Sequence, residues 1–168
     1  MPLICRLLAV IYSNIEAQVC WNGIDSDKFR ITNGVKQGGV MSPLLFNFYT
    51  ESLISRIVGS SMGCRVGNVS AAILMYADDI ALLAPSRGAM QHLLDISCQY
   101  GKEFKLSFNA QKSECIVFGG ETPQKNLMLE NNSIPYVNKI KYLGHNLQNK
   151  SINTIFNLDP VVSDILSF

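Results

Sequence analysis

Two apolar runs, residues 71–75 and 80–84, meet at the tetrapeptide Tyr76-Ala77-Asp78-Asp79. Apolar runs of that length joined by four residues predict a β-hairpin with the Asp pair at its tip or just past it. Two carboxylates held so close repel, and burial would force one of them to take up a proton. A divalent cation relieves that cost, and Mg²⁺ accepts hard oxygen ligands of this kind. The feature therefore predicts a metal site carried on rigid strands. Two Asp residues in a turn also describe an ordinary solvated turn. The dense apolar flanks weigh against that, because such strands are expected at the centre of a sheet.

The rest of the chain alternates helical and strand patterns. Leu3, Leu7, Leu8, Ile11 and Ile15 recur at helical spacing and predict a half-buried helix. Residues 18–31 read as a hairpin, with Val19 and Trp21 on one arm and Phe29 and Ile31 on the other, turned by Asn22-Gly23 and Asp25-Ser26-Asp27. A glycine-rich loop, 33–39, runs into Ser42-Pro43, an N-cap followed by Pro at the first helical position. That helix places Leu45, Tyr49, Leu53 and Ile57 on one face. Ser86 is expected to cap a helix with Met90, Leu93, Leu94 and Ser97 inward, ending near Tyr100-Gly101. Residues 106–108 and 115–118 read as strands around an Asn109-Ala110-Gln111-Lys112 turn. Residues 127–129 and 134–137 read as a hairpin over Asn131-Asn132, and 140–143 as a short strand closed by Gly144. From Ser151 onward neither helix nor strand is predicted. Helices mixed with hairpins point to the α+β class, an antiparallel sheet with helices packed on one face.

Composition sets bounds. At 168 residues the chain is one domain or part of a larger one. A hydrophobic fraction of 48% supports an ordinary core and excludes a disordered chain. The five cysteines are odd in number and match no zinc spacing, so buried thiols in a reducing compartment are expected. Arg6 interrupts the apolar N-terminus and no small-residue cleavage site follows, so no signal peptide is expected. No run is long enough to span a bilayer. An intracellular location, nucleus or cytoplasm, with no membrane partner is expected. A net charge of +1 gives no whole-chain case for nucleic-acid binding. Residues 85–150 carry eight basic and five acidic residues, which on charge alone is a normal solvated surface.

A second chemical element is Gly-Val-Lys-Gln-Gly-Gly-Val-Met-Ser-Pro, residues 34–43. Gly38 and Gly39 let a flat ligand or a sugar approach the backbone. Gln37 offers a donor and an acceptor. Free amides at the start of the Ser42 helix favour an anion such as a phosphate. Alone, the segment is an ordinary glycine-rich helix entry. Together with Tyr76-Ala77-Asp78-Asp79, which begins 30 residues after Phe46, it resembles reverse transcriptases of non-LTR (LINE-type) retrotransposons. Residues 34–46 look like the palm motif B of that family, and Tyr76 to Asp79 like its motif C. Leu106-Ser107-Phe108-Asn109 with Lys112 and Ser113 is similar to motif D. Lys141-Tyr142-Leu143-Gly144 is similar to the motif E hairpin, the primer grip. The resemblance covers residues 3–144, and four motifs in order are specific.

The resemblance implies an RNA-directed DNA polymerase that performs two-metal nucleotidyl transfer with Mg²⁺ or Mn²⁺. Its fold would be a partial palm, an incomplete ferredoxin-like sheet. Residues 1–118 would be palm, 119–150 the primer-grip hairpin region, and 151–168 an unmatched tail. By resemblance Asp78 and Asp79 are catalytic metal ligands. Gln37, Gly38, Tyr76 and Lys112 would lie along nucleotide and template, and Tyr142, Leu143 and Gly144 would form the primer grip. The implied partners are an RNA template, a DNA primer and deoxynucleoside triphosphates. The family also carries a metal-binding Asp on an earlier strand, motif A, after a fingers region. Only Asp25 and Asp27 precede Gly34, and both lie in a polar turn. A truncated fragment is therefore expected, inactive alone or dependent on a complementing polypeptide. A gap in the sheet beside the Asp hairpin, with aggregation-prone edges, is expected as well. Two further readings stay open: a non-catalytic nucleic-acid-binding remnant, and a functionless pseudogene product. Hydrolysis by the Asp pair lacks a placed nucleophile, and His92 and His145 read as surface or packing residues.

Overall fold

A computed structural model describes residues 3–13, 15–31 and 38–149 and the strand Asp164–Ser167. The chain divides into two compact units, residues 1–45 and 46–168.

In the first unit, helix α1 (Leu3–Ser13) forms where the spacing predicts it. It is not half-buried: none of its residues is buried, and Leu3 is 82% exposed. Ile15 falls beyond its end. The following hairpin is nested. Strands β1 (Glu16–Ala17) and β4 (Phe29–Arg30) pair as its base, and β2 (Cys20–Trp21) and β3 (Ile24–Asp25) as its tip. Asn22 and Gly23 turn the tip with φ of 50° and 77°, the type I′ geometry that Asn-Gly favours. Between the two ladders Ser26 bonds Val19 twice: the Ser26 N–H donates to the Val19 carbonyl, and the Val19 N–H donates to the Ser26 hydroxyl.

Helix α2 (Ser42–Gly59) begins at the predicted Ser-Pro pair. Its buried stripe is Thr50, Leu53 and Ile57 with Phe46 half-buried; Leu45 is half-buried and Tyr49 is exposed. A helix turns 100° per residue, so a strict four-residue repeat drifts off the face that a mixed three- and four-residue repeat holds. A small ladder follows, β5 (Arg65–Val66) with β6 (Val69–Ser70). Next come β7 (Ile73–Tyr76) and β8 (Asp79–Ala84), the predicted hairpin.

Helix α3 (Arg87–Phe104) is capped by Ser86, whose hydroxyl accepts from the Ala89 N–H at 3.2 Å. Met90, Leu93, Leu94 and Ser97 are buried, as the spacing requires. The helix runs past Gly101 and ends at Lys105, which is left-handed at φ 55° and ψ 38°. Gly101 is needed for space instead. A Cβ there would lie 2.6 Å from the Leu106 carbonyl oxygen. Residues 106–108 form no ladder. The Asn109 turn does form: its side-chain carbonyl accepts from the Gln111 and Lys112 N–H groups at 3.1 and 3.3 Å.

Strand β9 (Glu114–Ile116) follows that turn. The next hairpin pairs β10 (Leu127–Leu129) with β11 (Asn132–Ile134), so its tip is Glu130-Asn131, one residue earlier than predicted. Leu127, Leu129 and Ile134 are all fully buried, and that set fixes the register. Strand β12 (Lys139–Tyr142) pairs with β13 (His145–Gln148) over Leu143-Gly144. No helix among the described residues is long and apolar enough to cross a membrane.

The main sheet is antiparallel in the order β7-β8-β14-β9, where β14 is Asp164–Ser167. This corrects two expectations. The stretch after Ser151 does contribute a strand, and that strand fills the place where a gap was expected. Four residues carry too little periodicity to announce a strand, and two flanking edges supply the order that local pattern does not. The Asp hairpin is also less central than its apolar runs suggest, because β7 is an edge strand. From β8, Ile80, Leu82 and Ala84 join one core with Leu53 and Ile57 of α2, Met90, Leu93 and Leu94 of α3, and the β10–β11 hairpin.

Candidate functional site

The ladder pairs Tyr76 with Asp79, which leaves Ala77-Asp78 as a two-residue loop. Ala77 has φ of 53°, and Asp78 is not among the positive-φ residues. A positive φ at the first loop position alone is the type II′ pattern, where Gly is preferred. Ala at that position is strained, at about 1–2 kcal/mol for a left-handed L-residue. The strain is spent where the hairpin sets Asp78 at its tip and Asp79 at the head of β8. Both carboxylates are exposed, so relief of burial is not what calls for a cation here. Tyr76 is 66% exposed beside them.

The β12–β13 hairpin reaches strand β7 short of this tip. The Tyr142 hydroxyl donates to the Leu74 carbonyl oxygen at 3.5 Å, a long bond. Burial raises the Tyr142 pKa, and the negative charge of Asp79 raises it further. The phenol therefore stays protonated, and a donor, through neutral pH. Beside it Leu143 and Gly144 turn the hairpin with φ of 47° and 82°, again type I′.

Strand register brings in Lys112. Ser167 pairs with Ala81 on one side and with Glu114 on the other, so Ala81 and Glu114 lie in one row across the sheet. Both β8 and β9 run antiparallel to β14, hence parallel to each other. Two residues back along each lie Asp79 and Lys112. Asp79 heads β8 and Lys112 stands in the turn that leads into β9, so both are at the same end of the sheet. Lys112 itself is exposed in the Asn109 turn.

Asp78, Asp79, Tyr76, Lys112, Tyr142, Leu143 and Gly144 thus all belong to the second unit. Gly38 belongs to the first unit, with φ of 75° and nothing within 4 Å of where a Cβ would stand. Gln37 lies outside the described residues. Sequence reasoning missed the strained Ala77 and the apposition of Tyr142 to Asp79. The first could have been found from a non-Gly residue in a two-residue hairpin loop. The second has no local signal, since the partners are 63 positions apart.

Two carboxylates on consecutive residues are a hard-oxygen donor set. Mg²⁺ is commonly held by one or two carboxylates, its other positions taken by water and substrate phosphates. The residues present fit such an ion. Among the described residues no group of three or more His, Cys, Asp or Glu side chains is gathered for a metal.

The family described as reverse transcriptase (RNA-dependent DNA polymerase) matches residues 3–147. Among similar curated proteins, the Pol polyprotein from type-2 retrotransposable element R2DM of Drosophila melanogaster is 35% identical over 135 residues, covering 74% of this chain and 13% of that protein. A Pol polyprotein from type-1 retrotransposable element R2 of Popillia japonica is 29% identical over 164 residues, covering 88% and 26%. The RNA-directed DNA polymerase from mobile element jockey of Drosophila funebris is 26% identical over 150 residues, covering 85% and 16%. The chain therefore spans between 13% and 26% of the length of these relatives.

Proposed function

This chain belongs to the reverse transcriptase (RNA-dependent DNA polymerase) family, of the kind found in non-LTR retrotransposons, and from that premise we propose that its second unit carries the metal-binding and primer-facing part of an RNA-templated DNA polymerase. Residues up to 118 act as palm and 119–150 as the primer-grip region. The observation that carries the reading is the Asp78-Asp79 tip of the hairpin whose strand β7 accepts the Tyr142 hydrogen bond at Leu74.

Asp78 and Asp79 would hold Mg²⁺, or Mn²⁺ in its place. When bound, such ions lower the pKa of the primer 3′-hydroxyl and stabilise the charge developing around the α-phosphate. Asp79 is the nearer of the two to the primer end. Tyr76 supports the primer terminus from the exposed side of the hairpin. Tyr142, kept protonated, turns its one hydroxyl hydrogen from the long Leu74 bond toward the primer backbone, and the Leu143-Gly144 turn lets that backbone come close. Lys112 offsets triphosphate charge from the same end of the sheet. Gln37 and Gly38 contact the template and the incoming nucleotide.

The partners on this reading are an RNA template, a DNA primer and deoxynucleoside triphosphates. As an isolated polypeptide of these 168 residues the chain does not polymerise, because two carboxylates without a third ligand hold the ions too weakly. The third ligand would come from outside these 168 residues, and a complementing polypeptide is one source of it.

Two measurements test this. Primer extension on an RNA template with Mg²⁺ and the chain alone is expected to give no product, and robust incorporation would overturn the inactivity claim. Fluorescence anisotropy of a labelled primer–template duplex is expected to show weaker binding by Tyr142→Ala than by the unaltered chain. Equal binding would overturn the primer-grip assignment.

A further inference from the structure

The main sheet is assembled out of chain order. Its third position holds Asp164–Ser167, inserted between β8 and β9, whose nearest ends are 30 positions apart. The two walls of that position are parallel to each other and two spacings apart, so an inserted strand has the same sense against both, and here it is antiparallel to each.

Each wall is supported without the occupant. Strand β8 is paired along its other edge with β7 and packs into the helix core. On the far edge of β9, the Cys115 N–H donates to the Pro135 carbonyl at 3.0 Å, and the Cys115 carbonyl accepts from Val137 at 2.8 Å. The occupant, by contrast, is only four residues long and adds two ladders. We propose that the space between β8 and β9 is a strand-acceptor site: it is filled by the chain's own residues 164–167, and it takes the same extended segment when that segment is offered from outside. The ligand class is an extended peptide recognised by its main chain, as in strand addition to a sheet edge.

The hydrogen-bond pattern fixes which atoms to test. Both main-chain groups of Cys115 bond away from β14, so the Cys115–Leu166 pair is of the non-hydrogen-bonded kind. Such pairs bring Cα atoms to about 4.5 Å, within disulfide reach. On the other side, the Leu83 N–H donates to Ala72 and the Leu83 carbonyl accepts from Cys64, both away from β14. By alternation Leu82 turns its N–H and C=O toward Leu166, its partner in the register.

The first test is Leu166→Cys in the full chain, treated with oxidised glutathione, which accepts the two electrons and leaves two reduced glutathione molecules. Peptide mapping is expected to find position 166 bridged to Cys115 within one molecule. A bridge joining two molecules, or a cysteine at 166 joined to exposed Cys5 or Cys20, would overturn the assignment in cis. The second test is Leu166→Pro, which removes the N–H facing Leu82 and disrupts a central strand. Hydrogen exchange at the Leu82 amide is expected to speed up at least tenfold. A synthetic peptide of residues 161–168 in excess should restore its protection. Unchanged exchange in the variant, or no restoration by the peptide, would overturn the acceptor site. Should Leu166→Pro fail to fold, the cross-link and the same peptide added to Leu166→Ala carry the decision.

Discussion

Replacing Gly101 with Ala sets two rules against each other. Gly in a helix interior is worse than Ala by roughly 0.5–1 kcal/mol, so the local rule predicts a more stable protein. The structure predicts the opposite. A Cβ on residue 101 would stand 2.6 Å from the Leu106 carbonyl oxygen and 3.2 Å from the Phe108 ring, well short of the 3.4 Å at which ordinary contact begins. The ring can swing, but the carbonyl is main chain. It is held close because the Leu106 N–H donates to the Gly101 carbonyl at 2.9 Å, directly after the left-handed turn at Lys105. Opening the gap costs about 1–3 kcal/mol of overpacking. Weakening the hydrogen bond costs about 1 kcal/mol more. Against the propensity gain the net is a loss of roughly 1–3 kcal/mol, or a fall of several degrees in Tm for a protein of this size. Urea titration of both proteins, with unchanged m-values, measures it. A Gly101→Ala protein as stable as the parent, or more stable, would refute the claim that this glycine is there for close approach.

Gly63→Ala should lose more than Gly101→Ala on the same assay, since its Cβ would fall 2.0 Å from the Ala72 Cβ and 2.6 Å from the Ala72 Cα. Ala77→Gly should stabilise by about 0.5–1 kcal/mol, because relief of left-handed strain exceeds the added chain entropy of Gly; thermal melts check it. Ser86→Ala should cost about 1 kcal/mol through loss of the cap that accepts from Ala89. Tyr142 ionises above the ordinary tyrosine range. The folded state therefore holds its proton longer than the unfolded state, and stability is unaffected below pH 10 and falls as pH rises from 10 through the folded value. In an ultraviolet titration Tyr142→Phe should remove a late component, and Asp79→Asn should move that component earlier while leaving it late.

What the sequence made legible was mostly local. The Asn22-Gly23 turn, the Ser86 cap, the inward face of α3 and the 76–79 hairpin each rest on a few neighbouring residues whose chemistry permits little else. Where prediction failed, the deciding contact was distant. Gly101 reads as a helix terminator until the chain that returns over it is known. The apolar runs beside Asp78 suggest a central hairpin, but whether β7 is an edge depends on what pairs beyond it. Residues 164–167 have no strand signature of their own, and their order comes from two edges already in place. Resemblance gave Tyr142 a role, but its position against Asp79 follows from how two hairpins pack.

The assigned function requires that the acidic tip of the β7–β8 hairpin bind divalent cations. Substoichiometric Mn²⁺ added to the isotope-labelled chain should selectively broaden the amide signals of residues 78–80 and the ring signals of Tyr142, and the joint change Asp78→Asn with Asp79→Asn should abolish the effect. Broadening that is absent there, or that persists in the doubly substituted protein, would contradict it.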